Sequence, residues 1–199
     1  MSRPNENESM KKIKMLLEQI QKGYTSRDES TIDSWVDQLF HKEVTIIGTN
    51  AVRPGDFEWK KGLESAKQMF ENDWKNWGDV KMDLDEAEVD IVDNVAWVAL
   101  YATVTRNTAE SDTRSSEASR KRSLQRIKEY TEKEWTSTRV LYEVIYDASM
   151  ILTQYERGDV FVWPIRITLG LIDEGEGWKI RQVHFSFPGR GFPNVRIEN

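Results

Sequence analysis

The apolar positions in the first eighty residues recur in three- and four-residue steps, the spacing of one helix face. This pattern predicts three helices, over residues 10–24, 32–40 and 63–77. Between the second and the third, the β-branched run Val44–Ile47 predicts a short buried strand. The following segment, 49–59, contains Pro and Gly and predicts a loop.

After residue 78 the apolar period changes to two, which is typical of half-buried strands. The alternation predicts strands over 80–84, 89–91, 94–105, 160–172 and 178–187. The acidic, glycine-containing segment 173–177 predicts a hairpin loop between the last two. Helices followed by an antiparallel meander indicate the α+β class.

A long insertion, 106–159, interrupts the predicted sheet. Its first part, 106–122, is polar and predicted to be loose. Its second part, 124–155, has near-helical apolar spacing and predicts two helices separated near 136–138. The insertion could lie on its own sheet, bind a second copy of the chain or cover a pocket as a lid.

Composition narrows the class of protein. A length of 199 residues fits a single domain, 1–199, with the insertion included. The net charge is −6 and the basic residues are interleaved with acidic ones, so no nucleic-acid partner is expected. The absence of cysteine excludes disulfides and thiol chemistry. The N-terminal residues lack the apolar core of a signal peptide and no run is long enough for a membrane span, so we expect a cytoplasmic location.

No cofactor or metal is expected from the motifs. Two histidines, His41 and His184, stand at unrelated positions and do not have metal-site spacing. The sequence has no glycine-rich phosphate loop and no nucleophile elbow. His41 follows the apolar end of the second helix and is expected at the surface or as a cap.

Several strings, in this order, resemble the SnoaL-like branch of the NTF2-like superfamily. They are Leu39-Phe40 through Gly48-Thr49, Glu58 with Gly62, Val95–Val98, Arg166–Thr168 and Trp178–Ile180 with His184 and Ser186. The resemblance covers residues 8–105 and 160–188, and the insertion has no counterpart in it. It implies a cystatin-like cone, in which a curved antiparallel sheet wraps around helices and encloses a pocket.

The resemblance does not fix the function, because this fold serves cyclases, dehydratases, isomerases, epoxide hydrolases and pure binding modules. Many members dimerise through the outer face of the sheet, so a homodimer is expected. The ketosteroid isomerase residues fall at Ile20, Gly48 and Thr168 when the elements are aligned. None of these matches, which argues against that activity.

The strongest candidate site lies on the last two predicted strands. Simple alternation puts five residues of the last strand on one face: Trp178, Ile180, Gln182, His184 and Ser186. On the strand before it, alternation puts Arg166 and Thr168 on one face. The resemblance implies that these polar residues lie on the concave face that lines the pocket.

The chemistry of these residues suits a small anionic molecule. His184 could transfer a proton near neutral pH. Arg166 could bind a carboxylate or an enolate oxygen, while Thr168, Gln182 and Ser186 add hydrogen bonds. In the alternative interpretation, His184 bonds a neighbouring backbone group and Arg166 pairs with Glu58 or Asp56. The face has no carboxylate base, so whether the protein is an enzyme stays open.

Aromatic residues complete the predicted site. Trp59 borders the pocket mouth, and Trp97 and Tyr101 share a strand face that could form a side wall, which favours a ring-containing ligand. Trp35 and Trp74 have helical spacing and are expected in the core. The resulting hypothesis is a small-molecule pocket, with or without acid–base chemistry, acting on a ring-containing or carboxylated ligand. The alternative is a non-catalytic ligand-binding or dimerisation module.

Overall fold

The computed structural model describes most of the chain in two compact units. The described residues are 4–49, 51, 54–55, 58–107, 116–130, 132, 135–157 and 160–187. One unit holds those of 4–104 and 163–187, and the other holds those of 105–162. The second unit therefore coincides closely with the predicted insertion. That both belong to one domain, 1–199, stays a prediction.

The first unit contains the three predicted helices, which are confirmed. They are α1 (Pro4–Ser26), α2 (Ile32–Leu39) and α3 (Leu63–Asn76). A 3₁₀ turn, Glu29–Thr31, precedes α2 and is capped by the Asp28 carboxylate, which accepts a hydrogen bond from the Ser30 backbone N–H at 3.1 Å. The helix α2 ends one residue earlier than predicted, because the backbone of Phe40 is already extended.

Seven strands form the sheet. They are β1 (Phe40–Ile47), β2 (Trp59–Lys61), β3 (Asp79–Met82), β4 (Glu88–Val92), β5 (Val95–Asn107), β6 (Val160–Asp173) and β7 (Trp178–Ser186). The order across the sheet is β2-β1-β7-β6-β5-β3, and β4 also pairs with β5. The predicted strands are confirmed. The short strand β2 was not predicted, because a three-residue strand shows too little alternation.

The sheet is mixed and not purely antiparallel. The strands β6 and β7 form the predicted antiparallel hairpin, but β1 runs parallel to β7, with Ile46 beside Val183 and Ile47 beside His184. The direction of this pairing could not be predicted, because alternation along a strand does not specify which strand lies beside it.

One face of the sheet packs against the helices, and we call it the inner face; the opposite face is the outer face. Side chains from both layers fill the core of this unit. The inner-face positions alternate along each long strand: Val44 and Ile46 on β1, Ala96 through Val104 on β5, Ile165 through Leu171 on β6, and Ile180, Val183 and Phe185 on β7. The helices contribute Ile13, Leu17, Ile20, Tyr24, Val36, Leu39, Phe70 and Trp74.

The second unit is a helical pair, α4 (Ser116–Tyr130) and α5 (Ser137–Arg157). The predicted break between two helices is confirmed. The rings of Tyr130 and Trp135 stack at 5.4 Å in the connection, and the Arg139 guanidinium lies 4.6 Å from the centre of the Trp135 ring. The helix α4 begins inside the stretch predicted to be loose, because its Ala, Glu, Arg and Lys residues favour a helix even without an apolar stripe. Residues 108–115 of that stretch lie outside the described residues.

Candidate functional site

The predicted site residues of the last two strands do lie together. Across the β6–β7 hairpin, Arg166 pairs with Ser186, Thr168 pairs with His184, and Gly170 pairs with Gln182. Directly paired residues point to the same side of a sheet. The four side chains of Arg166, Thr168, His184 and Ser186 therefore form one patch, which Gln182 extends.

The predicted alternation along β7 is wrong at one point. The register between β6 and β7 shifts beside Gly170, so that Ile180 pairs with Leu171 while Gln182 pairs with Gly170. The residue between them, Arg181, is an additional residue in β7, and a bulge of this kind reverses the alternation beyond it. Trp178 and Ile180 thus share the inner face with Val183 and Phe185, and not with His184.

The patch lies on the outer face of the sheet. Its neighbours in sequence, Ile167, Leu169, Val183 and Phe185, are buried against the helices. The expectation that the polar residues line a concave pocket is therefore wrong in its geometry. The physical reason is that the apolar partners on the opposite face gain more from burial than the polar set does, so the polar set faces outward. The ligand-binding roles of these residues stay predictions.

The contacts of Arg166 are local. Its Nη2 donates to the backbone carbonyl of Phe187 at 2.8 Å, immediately after the end of β7. Arg166 thus contacts a backbone carbonyl. A backbone group is the partner that the alternative interpretation predicted for His184, and it differs from the anion predicted for Arg166. Of the two acidic partners predicted for Arg166, Asp56 lies outside the described residues.

The aromatic residues predicted to touch a ligand also lie on the outer face. Trp97 and Tyr101 alternate outward on β5 and are 54% and 50% exposed. Trp59 lies on β2, paired with Ile47, which is itself paired with His184. All the predicted ligand-contacting residues therefore share one sheet face. Trp74 is buried in the core and Trp35 packs against it, as predicted.

In the described part of the first unit, the space between the sheet and the helices is small. The free space at its centre is about 10 Å³, close to the lower limit for a single water molecule. Its lining is entirely apolar: Ile20, Phe40, Phe70, Met82, Leu100, Ile167, Leu169, Ile180, Val183 and Phe185. In the part of the chain that the structure describes, the space between sheet and helices is thus a packed core.

One ionisable pair in this unit was not predicted. The Tyr24 hydroxyl donates to Asp73 Oδ2 at 3.2 Å, joining α1 to α3. Burial, against the lowering effect of the Tyr24 hydrogen bond and with a smaller contribution from the nearby Glu58 carboxylate, raises the pKa of Asp73 to about 7. Burial likewise raises the pKa of Tyr24, and so does the Asp73 carboxylate. Asp73 lies three residues after Phe70 on the apolar stripe of α3. A carboxylate at an apolar position was the signal in the sequence from which this pair could have been found.

His41 is buried, which corrects its predicted surface position. It lies in β1, where its Nδ1 accepts a hydrogen bond from the Glu43 backbone N–H at 3.1 Å. Its Nε2 lies 3.4 Å from Glu174 Oε2, in the turn between β6 and β7. His41 therefore joins the first strand to the last hairpin.

Metal-ligand clusters and membrane-spanning helices are both absent from the described residues. Within these ranges, no three His, Asp or Glu side chains converge in a way that could hold a metal ion. Nor does any helix of the described chain have the length and apolar character needed to cross a membrane.

Comparison with known proteins identifies the fold. No protein-family model matches the sequence, and a search of curated proteins also finds no match. Solved structures do match. An NTF2-like superfamily protein from Salmonella enterica has a TM-score of 0.55 at 12% identity, covering 94% of this chain and 99% of that one. An NTF2-like protein with a cystatin-like fold from Novosphingobium aromaticivorans has a TM-score of 0.57 at 8% identity, covering 94% and 87%.

A third similar structure is a candidate dehydratase of the NTF2-like family from Streptomyces avermitilis, with a TM-score of 0.54 at 10% identity, covering 92% of this chain and 98% of that one. At such identities the likeness shows the fold alone. The chain has the NTF2-like, cystatin-like α+β fold. Its assignment to the SnoaL-like branch stays a prediction.

Proposed function

We propose that this chain is a non-catalytic association module, and that the outer face of its sheet binds a second copy of the chain. The observation that carries the proposal is the exposure of Trp97 and Tyr101, at 54% and 50%, on one strand face. Tyr and Trp are enriched in protein interfaces, and two such exposed rings on one strand face, with Ala99 between them, form an unusual surface. Arg166 and His184 lie on the same sheet face, on β6 and β7.

The distribution of charge across the outer face supports a symmetric partner. Lys61 lies on β2 at one edge, while Glu88 and Asp90 lie on β4 at the other and pair with outward residues of β5. A two-fold axis parallel to the strands, passing between β6 and β7, places β2 of one copy over β4 of the other. Opposite charges then meet at both edges.

The same axis places β5 of one copy over β1 of the other. Trp97 and Tyr101 would then cover Thr45 and Ile47 of the partner subunit, which are half-buried in the single chain. The polar residues of β6 and β7 would then lie around the two-fold axis. The aromatic and aliphatic contacts would lie on either side of it, where large rings can be buried between the two sheets, and the charges would lie at the edges.

Acid–base chemistry on a small ring-containing or carboxylated molecule is less well supported. His184 lies on an open sheet face, and proton transfer to a bound substrate requires a site that holds the substrate in place. The pair Tyr24 and Asp73 has a carboxyl group suited to proton exchange near neutral pH. Neither residue, however, lines the small apolar space at the centre of the core. We therefore assign no reaction to the chain.

The test is a measurement of mass by sedimentation equilibrium over a range of micromolar concentrations. We expect the parent chain to dimerise and the Trp97→Glu and Tyr101→Glu chains to dimerise at least about 30-fold more weakly, since one buried interface aromatic contributes about 2 kcal/mol or more. The milder Trp97→Ala chain should show the same trend.

Met15→Glu is the matched control, because Met15 is 50% exposed but lies on α1. It should leave the dimerisation constant unchanged. Circular dichroism establishes that each variant is folded. A parent chain that is monomeric throughout this range, or folded Trp97 and Tyr101 variants that dimerise like the parent, would contradict the proposal.

A further inference from the structure

The helix α5 carries a line of exposed apolar side chains, beside which Tyr142 is also exposed. Leu141 and Leu152 are both 61% exposed, and Ile145 between them is 37% exposed. Ala148 completes the line. The four positions, 141, 145, 148 and 152, are separated by steps of four, three and four residues. We call this set the α5 seam. Such spacing is the a/d pattern by which two helices pack along their length.

We propose that the α5 seam binds the α5 seam of a second copy of the chain in an antiparallel helix pair. The order of steps, four-three-four, reads the same in both directions. An antiparallel partner therefore sets Leu141 opposite Leu152 of the partner subunit, and Ile145 opposite Ala148 of the partner subunit. Each contact is made twice around a two-fold axis, as a self-complementary interface requires.

The side-chain sizes agree with this pairing. The two Leu–Leu contacts lie at the ends, and at the centre the large Ile145 meets the small Ala148, so large and small residues interlock. In a parallel pair each residue would face its own copy, and two Ala148 side chains would leave a gap at one level. The antiparallel arrangement avoids that gap.

The charge of the helix favours a second copy over a lipid surface. A membrane-surface helix has a basic polar face. The helix α5 contains two basic and three acidic residues, so its polar face is not basic. Binding to an anionic membrane is thus less well matched than binding to a second helix of the same kind.

This surface is separate from the outer sheet face of the proposed function. It lies on the second unit, whereas Trp97 and Tyr101 lie on the first. Each interface can fail without the other.

The experiment uses the absence of cysteine from the chain. Full-length Leu141→Cys and Leu152→Cys chains are mixed and oxidised. We expect a cross-linked dimer between the two variants, because their positions face each other in the antiparallel pair. Each variant alone should cross-link at least tenfold more slowly, since positions 141 and 152 are separated by about three helical turns, or about 16 Å.

Leu124→Cys is the matched control, because Leu124 is 59% exposed on α4 and lies outside the seam. Adding Ile145→Glu to both seam variants should abolish the mixed cross-link. The mixed cross-link should persist in the Trp97→Glu background, so that failure of the sheet interface and failure of the seam are distinguished.

Three results would overturn the proposal. The first is cross-linking of the mixed seam variants at the rate of the Leu124→Cys control. The second is faster cross-linking of each seam variant with itself, which indicates a parallel pair. The third is sedimentation of the uncross-linked chain with phosphatidylserine vesicles that Leu141→Glu abolishes, which assigns the seam to a membrane surface.

Discussion

The Asp73 carboxyl group, when ionised, lowers the stability of the fold that buries it. Asp73 occupies a position on the apolar face of α3, where its carboxylate accepts a hydrogen bond from the Tyr24 hydroxyl. Burial favours the neutral form of the carboxyl, so its pKa rises from about 4 in an unfolded chain to about 7. The folded state therefore binds a proton that the unfolded state releases between these two values.

The sign of the resulting pH dependence follows from linkage. Because the folded pKa is the higher one, the stability that Asp73 contributes is complete below about pH 4 and is lost as the pH rises to about 7. The loss is on the order of 1.4 kcal/mol per unit of pKa shift. We expect Asp73→Asn, which keeps an acceptor for Tyr24, to flatten the fall in the free energy of unfolding between about pH 4 and 7.

Urea denaturation at several pH values measures this effect. Asp85→Asn is the control, because Asp85 is an exposed carboxylate in the turn before β4 and should leave the pH dependence as it is in the parent. If Asp73→Asn and the parent lose stability in parallel over this range, the Asp73 carboxyl is not the group responsible.

At the scale of elements, the packing of α1 against α2 depends on a single glycine. A Cβ atom at Gly23 would lie 2.5 Å from Trp35 Nε1, well inside van der Waals contact. The indole cannot move freely, because its N–H donates to the Gln19 carbonyl at 3.1 Å and its ring contacts Phe70 and Trp74. The two helices can approach closely only because residue 23 has no side chain.

Gly23→Ala should therefore destabilise the protein by about 1–3 kcal/mol through overpacking, although alanine is the better helix former by about 1 kcal/mol. Thermal denaturation measures the change. Gly170→Ala serves as the control, since its Cβ would make only an ordinary contact, 3.6 Å from Gln182 Cβ. Trp35→Phe, combined with Gly23→Ala, should recover part of the loss. A Gly23→Ala chain as stable as the parent would disprove the close approach.

At the scale of the whole molecule, packed side chains fill the interior of the first unit. Phe70 lies at the centre of it, with ring centres at 5.0 Å from Phe40, 5.1 Å from Trp35 and 6.1 Å from Tyr24. Close packing of this kind leaves apolar side chains in the volume where a ligand would have to bind. The proposed role of the chain in association is consistent with this filled interior.

Phe70→Ala should create the cavity that the parent lacks. We expect a loss of about 3–5 kcal/mol in the free energy of unfolding, because the neighbouring rings can relax only partly. Benzene should then raise the melting temperature of the variant and leave that of the parent unchanged. Met15→Ala, at an exposed position, is the control and should change stability by less than about 0.5 kcal/mol. A benzene response in the parent would show that its interior is open.

Much of the fold could be predicted from the sequence, because both helices and strands leave a periodic apolar signal. The stripe of α3 and the alternation of β6 each identified an element correctly. The short strand β2 and the parallel pairing of β1 with β7 could not be predicted, since three residues carry little pattern and direction depends on a strand far away in the chain.

The candidate site was predicted in part. The predicted hairpin loop implied that β6 pairs with β7, so the grouping of Arg166, Thr168 and His184 was correct. The side of the sheet on which they lie was assigned from the resemblance and not from the burial of Ile167 and Leu169. The predicted alternation along β7 is wrong beyond Arg181. A bulge exists only relative to the partner strand, so alternation within β7 could not predict it.

The sequence by itself determined the order of the elements, their apolar faces and the α+β class, because these depend on residues close together in the chain. The tertiary structure alone decided that the polar patch faces outward, that the space beneath it is filled, and that Tyr24 meets Asp73. Each of these depends on contacts between elements distant in sequence, where the position of one side chain is set by the packing of another.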